Sequence, residues 1–392
     1  MSEIKKLIER LCPDGVEYRK LVDLAEVGTG SSNKQDSTDD GKYPFFVRSK
    51  FVERHNDYEY DEEAIIIPGE GGIGDIFHYI NGKYALHQRV YRIHFITNSV
   101  NAKFAYYYLR NSFKKYILGK AVSATVTSIR KPMIQNFEIP VPPIEVQSKI
   151  VEILDNFTEL EAELEAELEA RRKQYEYYRN QLLTFDKVGG ARFDVKWMKL
   201  GEVAKCYSGA TPKTSVASYW EDGTIPWMNS GEVNLGRVYK TENKITQLGY
   251  DSCSTKMVPA HTVVIALAGQ GKTRGTVAIT EIDLCTNQSL CAVEVDNNKI
   301  DSYYLWHYLR GQYQTLRKIS SGDGTRGGLN QNMIRNFEIP VPPLEKQRGF
   351  ASILDRFEAL TTDLQSGLPA EIEARRKQYE YYREQLLNFK RL

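Results

Sequence analysis

The chain of 392 residues is long enough for two sizeable domains, and at 26% charged and 11% aromatic it has the composition of globular protein. Its 52 Lys and Arg balance 51 Asp and Glu to a net charge of +1, which does not point to a globally basic nucleic-acid binder, so any basic surface must be local and offset by acid elsewhere. No apolar run reaches the length of about 18 residues that a membrane span needs, the amphipathic opening MSEIKKLIERL lacks a signal core, and five scattered cysteines with no CxxC pair argue against a zinc site or a disulfide framework and for a reducing cytoplasm.

Residues 1–15 read as a short helix ending near Pro13 and Gly15. From 16 to about 135, short β-like runs at 64–67 and 90–95 alternate with glycine-rich turns, and a helix is predicted over 102–118. Residues 136–143 (NFEIPVPP) read as a short strand closed by prolines. Pro142 and Pro143 then open a helix, because proline is tolerated in a first helical turn. That helix is expected from about 144 to 186, roughly 60 Å at 1.5 Å per residue. Its apolar residues are Ile150, Leu154, Phe157, Leu160, Leu164, Leu168, Tyr175, Tyr178, Leu182 and Phe185. Spacings of three and four, with an extra four in LEAELEAELEA, describe a coiled-coil seam carrying a stutter. The same stretch holds offsetting acid at Glu159, Glu161, Glu163, Glu165, Glu167 and Glu169.

Gly189 and Gly190 break this helix, and a second globular part is expected over about 191–335. A second long helix, about 344–389, repeats the seam with Leu354, Phe357, Leu360, Leu364, Tyr379, Tyr382, Leu386 and Phe389. Residues 366–369 (SGLP) are expected to kink or interrupt it. Asp155 to Arg171 is 16 residues and Asp355 to Arg375 is 20, so the second helix is longer by four residues, about one turn.

The chain repeats itself. NFEIPVPP occurs at 136–143 and again at 336–343, and ARRKQYEYYR at 170–179 and 374–383. More faintly, 16–30 (VEYRKLVDLAEVGTG) matches 195–209 (VKWMKLGEVAKCYSG), and 104–110 (FAYYYLR) matches 304–310 (YLWHYLR). Between these anchors the halves diverge, as in YPFFVRSKF at 43–51 against IPWMNSGEV at 225–233. Two copies of one unit invite a pseudo-two-fold arrangement, which suits a two-fold partner such as duplex DNA. The expected fold is α+β: two globular domains joined by two long antiparallel coiled-coil helices, with domains at 1–140 and 189–340 and helices at 141–188 and 341–392.

Residues 266–273 (ALAGQGKT) fit a permissive phosphate-binding pattern, but that mechanism needs a helix directly afterwards, and RGTVAIT alternates like a strand. The matching IPGEGGIG lacks a lysine. A glycine-rich turn with Lys272 and Arg274 at its tip, close to a DNA backbone or simply solvated, is the expectation. There is no NPP-aromatic tetrapeptide, HExxH or GxSxG, and His55, His78, His87, His94, His261 and His307 show no metal-ligand spacing, which together favour a non-catalytic protein. Candidate DNA readers are polar and basic residues of the divergent loops: Arg48, Ser49, Lys50, Arg54, Gln88, Arg89, Arg130 and Lys131 in the first half, and Lys213, Asn229, Ser230, Lys272, Arg274, Gln288, Arg326 and Asn330 in the second. Arg suits guanine, and Asn or Gln suits adenine, in the major groove.

Residues 197–233 resemble the opening of a target recognition domain in specificity subunits of type I restriction–modification systems, and 327–347 (GGLNQNMIRNFEIPVPPLEKQ) resemble the exit from one. The RRKQYEYYRxQLLxF helix ends resemble the spacer helices of that family, and LEAELEAELEA a four-residue repeat that some members carry. The first half departs most, lacking the TP and YW…IPW landmarks. The resemblance implies that each domain reads half of a bipartite asymmetric DNA sequence and that the helices set the gap. It implies a subunit without chemistry or bound cofactor of its own, which docks two modification (M) subunits using S-adenosylmethionine and joins restriction (R) subunits driven by ATP with Mg. Arg171, Tyr175, Tyr178, Leu182, Phe185, Arg375, Tyr379, Tyr382, Leu386 and Phe389 are then docking or seam residues, a choice left open. The competing reading is a coiled-coil scaffold whose globular domains bind proteins or peptides, and a third, a nucleotide-hydrolysing enzyme, rests on Lys272 alone.

Overall fold

The computed structural model describes residues 2–119, 128–185, 194–269, 273–320, 328–362 and 367–392. Lys272, Arg326, Gly189, Gly190, Leu364 and Ser366 lie outside the described residues. The chain forms two compact units that do not follow chain order: Met1–Glu165 with Glu371–Leu392, and Ala166–Ala370. The helix Ile144–Leu183 runs through the boundary at LEAELEAELEA. The second helical stretch comprises the described helices Leu344–Thr362 and Leu368–Leu387, with Pro369 in the first turn of the latter, while residues 363–366, where the expected interruption begins, lie outside the described residues.

In the first unit, six strands form a sheet in the order Ala25–Thr29, Val90–Phe95, Tyr60–Pro68, His78–Leu86, Tyr43–Phe46, Val52–His55. All pairings are antiparallel except that between Tyr43–Phe46 and His78–Leu86. The apolar run in Tyr60–Pro68 exists because the strand is covered on both faces. Side chains alternate across a strand, so Ile65 and Ile67 enter the core under the helix Ala102–Gly119, while Ala64 and Ile66 enter a second cluster with Phe46, Tyr84, Leu86 and Val90. The second unit repeats this logic. Its five-stranded sheet runs Ala204–Ser208, Leu290–Val295, Val263–Ala266, Val277–Thr280, Arg237–Val238, and a four-stranded sheet runs Asn243–Ile245, Ile225–Met228, Leu284–Thr286, Met257–Val258. Val263 and Ile265 face one cluster, Val264 and Ala266 the other.

Each unit closes over an antiparallel helix pair. In the first, Phe157 meets Tyr382 and Tyr379 at ring distances of 5.5 and 6.3 Å, and Arg376 bonds Glu161 and Glu165. Leu386, Leu387 and Phe389 are buried in the same core, each worth roughly 1.5–3 kcal/mol of burial. The backbone then pairs with the start of the chain, where Val16 N–H donates to Lys390 O at 2.9 Å and Leu392 N–H to Val16 O at 3.1 Å. In the second unit, Tyr178 stacks on Phe357 at 5.2 Å, and Phe185 meets Phe350 at 6.4 Å.

Fully buried glutamines fix each helix to its domain in the same way. Gln147 Nε2 donates to Ser99 O and Pro142 O while its Oε1 accepts from Asn101 N–H. Gln347 repeats all three bonds with Lys299 O, Pro342 O and Asp301 N–H. About two turns further on, Asp155 accepts from Tyr107 and Lys103, and Asp355 from His307 and Arg237. Arg237 also bonds Glu281 and Glu358 at 2.8 and 2.9 Å, tying the sheet edge to the helix Leu344–Thr362.

Candidate nucleic-acid interface

The divergent residues sit on one conserved piece of backbone, present once in each unit. In the first unit the strand His78–Leu86 turns through His87, Gln88 and Arg89 into Val90–Phe95; in the second, Leu284–Thr286 turns through Asn287, Gln288 and Ser289 into Leu290–Val295. Several hydrogen bonds recur in both turns. His87 N–H donates to Phe46 O at 3.0 Å, and Asn287 N–H to Met228 O at 3.1 Å. Gly69 N–H donates to Arg89 O at 2.9 Å, and Leu267 N–H to Ser289 O at 2.8 Å. Ile129 N–H donates to Gly69 O and Leu329 N–H to Leu267 O. Even the side chain that shapes the turn is matched: Arg89 N–H donates to His87 Nδ1, and Ser289 N–H to Asn287 Oδ1, both at 3.0 Å.

A neighbouring segment presses on the turn where no side chain fits. A Cβ on Gly30 would lie 1.7 Å from Leu86 O, and one on Gly209 1.8 Å from Thr286 O, so both positions require glycine. Just past these glycines, Asn33 accepts from Gln88 Nε2, and Thr211 Oγ1 donates to Gln288 Oε1, both short bonds of 2.5 and 2.6 Å. Both glutamines are exposed at the turn.

On this frame the first unit brings Arg48, Ser49, Gln88 and Arg89 together. Arg48 Nη1 donates to Glu70 Oε2 at 2.9 Å, and Arg89 Nη1 to both Glu70 oxygens at 3.1 Å. The bonds from Arg48 and Arg89 hold the Glu70 carboxyl below the usual carboxylate range. Burial, helped by the two arginine charges, pulls His87 below its usual value, which suits an Nδ1 that accepts. Arg130 and Lys131 are exposed at the start of the short helix Lys131–Gln135, directly after Ile129. Lys50 is exposed with its ammonium 5.1 Å from the Phe51 ring, and Arg54 is exposed on the strand Val52–His55.

The second unit gathers less. Gln288 and Asn330 line one depression with Ser208, Ser289, Gln331 and Arg335. Asn330 also caps the helix Gln331–Arg335, accepting from Met333 N–H at 2.9 Å. Asn229 is likewise a cap, accepting from Gly231 N–H at 2.7 Å, so its amide is engaged in local structure; Ser230 follows it half-buried. Lys213 is exposed, away from this turn in the chain. The expected position of Arg274 at a turn tip is corrected: it is buried, 8% exposed. The strand Val263–Ala266 pairs antiparallel with Val277–Thr280, and no helix begins between them among the described residues, so the phosphate-loop context is not met. Among the described residues no group of three or more His, Cys, Asp or Glu is placed to hold a metal ion, and none of their helices is long and apolar enough to cross a membrane.

Sequence reading missed Glu70, Ser289 and Thr211, because it searched the loops for cations and amides. The signal was available: HQRV at 87–90 and NQSL at 287–290 stand 200 residues apart, the offset of the FAYYYLR and NFEIPVPP repeats. Most of the helix side chains pack inward, although Tyr178 is 38% exposed. Tyr175 is buried, donating to His307 Nδ1 at 2.9 Å and accepting from Arg310; Tyr178, Leu182 and Phe185 pack in the second unit and Tyr379, Tyr382, Leu386 and Phe389 in the first. Arg171 bonds Glu167 and Gln174 along its own helix, as Arg375 does Glu371 and Gln378. The outward tyrosines are Tyr177 and Tyr381, 59% and 60% exposed at equivalent positions of the repeat.

Two copies of one reading frame with different exposed side chains define a modular recognition protein. The family model described as "Type I restriction modification DNA specificity domain" matches residues 13–170 and again 194–374. The chain belongs to this family of type I restriction–modification specificity subunits. It is 36% identical over 298 residues, 74% of this chain and 72% of the relative, to the EcoR124I/EcoR124II specificity subunit of Escherichia coli. It is 29% identical over 406 aligned positions, 99% of this chain and all of the relative, to a putative type I restriction enzyme specificity subunit of Haemophilus influenzae. The fold matches the crystal structure of the type I restriction–modification S subunit from M. genitalium with a TM-score of 0.64 at 18% identity, over 96% of this chain and 97% of that one.

Proposed function

We propose that this chain is the non-catalytic DNA-reading subunit of a type I restriction–modification complex. Each unit reads one half of a bipartite asymmetric site in double-stranded DNA, and the long helices set the unread gap. The duplicated helix ends dock two copies of one modification subunit, which brings S-adenosylmethionine and methylates adenine. Restriction subunits, with ATP and Mg, join the same assembly in the cytoplasm. The observation that carries this reading is the turn at 87–89 and 287–289. Its backbone bonds are repeated while Arg48, Glu70 and Arg89 are exchanged for Ser230, Ala268 and Ser289, the pattern expected of one scaffold presenting two specificities. A net charge of +1 is compatible with this, because the acid is concentrated away from the turn, in LEAELEAELEA.

The test is the salt dependence of duplex binding by the complex with its modification subunits. If several phosphates are contacted, affinity falls by about a thousandfold or more between 50 and 200 mM salt. Binding to duplex that is indifferent to salt, with retention of proteins or peptides by the two units, would favour the scaffold reading instead.

A further inference from the structure

Resting on the reading above, we propose that Arg48 and Arg89 are the guanine-reading residues of the first unit, positioned by Glu70.

The matched bonds at the two turns make this a comparison of side chains on one backbone. Position 48 corresponds to Ser230 through Phe46 and Met228, position 70 to Ala268 through Gly69 and Leu267, and position 89 to Ser289 directly. Two cations and one anion of the first unit are therefore replaced at the equivalent described positions of the second by two serines and an alanine. It is not a core ion pair: the Arg48 and Arg89 side chains are 42% and 58% exposed. Both arginines use Nη1 on Glu70, which leaves the rest of each planar fork outside the ion pair.

Phosphate grip and base reading make opposite demands on the carboxylate. For holding phosphate, Glu70 is a handicap, since it halves the positive charge and repels the ligand. For reading a base it is useful, because a shared carboxylate removes rotamer freedom from two long side chains and aims their remaining donors. Guanine presents O6 and N7 side by side in the major groove, the acceptor pair an arginine fork matches. Gln88 and Gln288 are common to both turns, so they do not distinguish the units; the cluster does.

The test uses the complex assembled with its modification subunits, on a panel of duplexes carrying the methylated motif with each base pair replaced in turn. The variants are Arg89→Lys, which keeps the charge and loses the fork, and Glu70→Gln, which keeps the size and frees the arginines. The quantity read is the ratio of methylation of the motif to that of each replaced duplex, taken from binding where methylation is too slow. The expected result is a G·C pair in one half-site whose ratio falls about tenfold or more in Arg89→Lys, and falls in the same place in Glu70→Gln, while ratios across the other half-site and the gap stay as in the wild type. Ratios unchanged at every position, however much total activity drops, would overturn the inference and leave these arginines as phosphate contacts or surface charge. Failure of the underlying reading looks different: the wild-type complex would then show no motif at all.

Discussion

His307 shows how much of one unit can rest on a single buried side chain. It is fully buried, its Nδ1 accepts from Tyr175, and its Nε2–H donates to Asp355 at 2.9 Å, so one residue joins the domain helix Ser302–Gly311 to both long helices. Burial pushes its pKa below the usual value; Asp355 opposes this, and Arg310 and Arg237 reinforce it. The unfolded chain takes up the proton at about pH 6.5 and the native state only lower, so stability is full above that pH and is lost as the pH falls toward the native value. Asp355 is held low, its burial outweighed by His307 and Arg237, and adds its own loss only in the carboxylate range. Thermal unfolding should therefore fall between pH 7 and 5.5. His307→Gln, about 1 kcal/mol less stable at pH 7 for its lost bond to Tyr175, should lose less than the wild type over that interval. His78 and His87 in the first unit are also held low by burial and are unchanged by the substitution, so an equal loss in both proteins would contradict the assignment. In the sequence, FAYYYLR and YLWHYLR showed that Tyr107 and His307 are equivalent, but not that each bonds an equivalent aspartate, Asp155 and Asp355. Burial and pairing depend on residues 48 positions away.

At the scale of elements, periodicity located the helices well. The prediction over 102–118 matches Ala102–Gly119, and Phe157, Tyr178, Phe357, Tyr379 and Tyr382 pack as the seam predicts, whereas Leu360 is exposed and Leu364 and Ser366 lie outside the described residues. What periodicity does not reveal is the partner of each half-helix. Tyr379 and Tyr382 pack on Phe157, and Tyr178 on Phe357, so identical sequences serve different units, and only non-local contacts assign them. The LEAE repeat lies where the first long helix leaves one unit for the other. Deleting 164–167 moves Glu169 into the place of Glu165 beneath Arg376 and Glu163 into that of Glu167 before Arg171, so both contacts survive a change of one turn. The deletion should shorten the gap in the methylated motif by one to two base pairs, from about 6 Å of helix and 3.4 Å per pair, and leave both half-sites intact. Altered half-sites or an unchanged gap would end the ruler idea. Tyr177 and Tyr381 lie outside both cores, each edge-on to its neighbour at 5.5 Å. Tyr177→Ala and Tyr381→Ala should leave unfolding unchanged, and each should remove one modification subunit from the complex in native mass spectrometry, an exposed aromatic anchor being worth about 2 kcal/mol or more. A double variant that still carries two copies would place docking elsewhere.

For the whole molecule, the duplication was the most legible property of the sequence, because NFEIPVPP and ARRKQYEYYR lie on the shared frame where each unit makes the same contacts. The proposed reading surfaces were the least legible, because they are the parts that differ. Polarity and positive charge singled out Arg48 and Arg89 but not Glu70, and also pointed to Asn229, which is a cap, and Arg274, which is buried. Whether this chain directs a methyltransferase to one bipartite site is decided by mapping adenine methylation across the source genome with the gene present, deleted and restored. One bipartite motif, two half-sites and a fixed gap, should be methylated with the gene, unmethylated without it, and methylated again on restoration. A map in which the motif persists through the deletion would contradict that role.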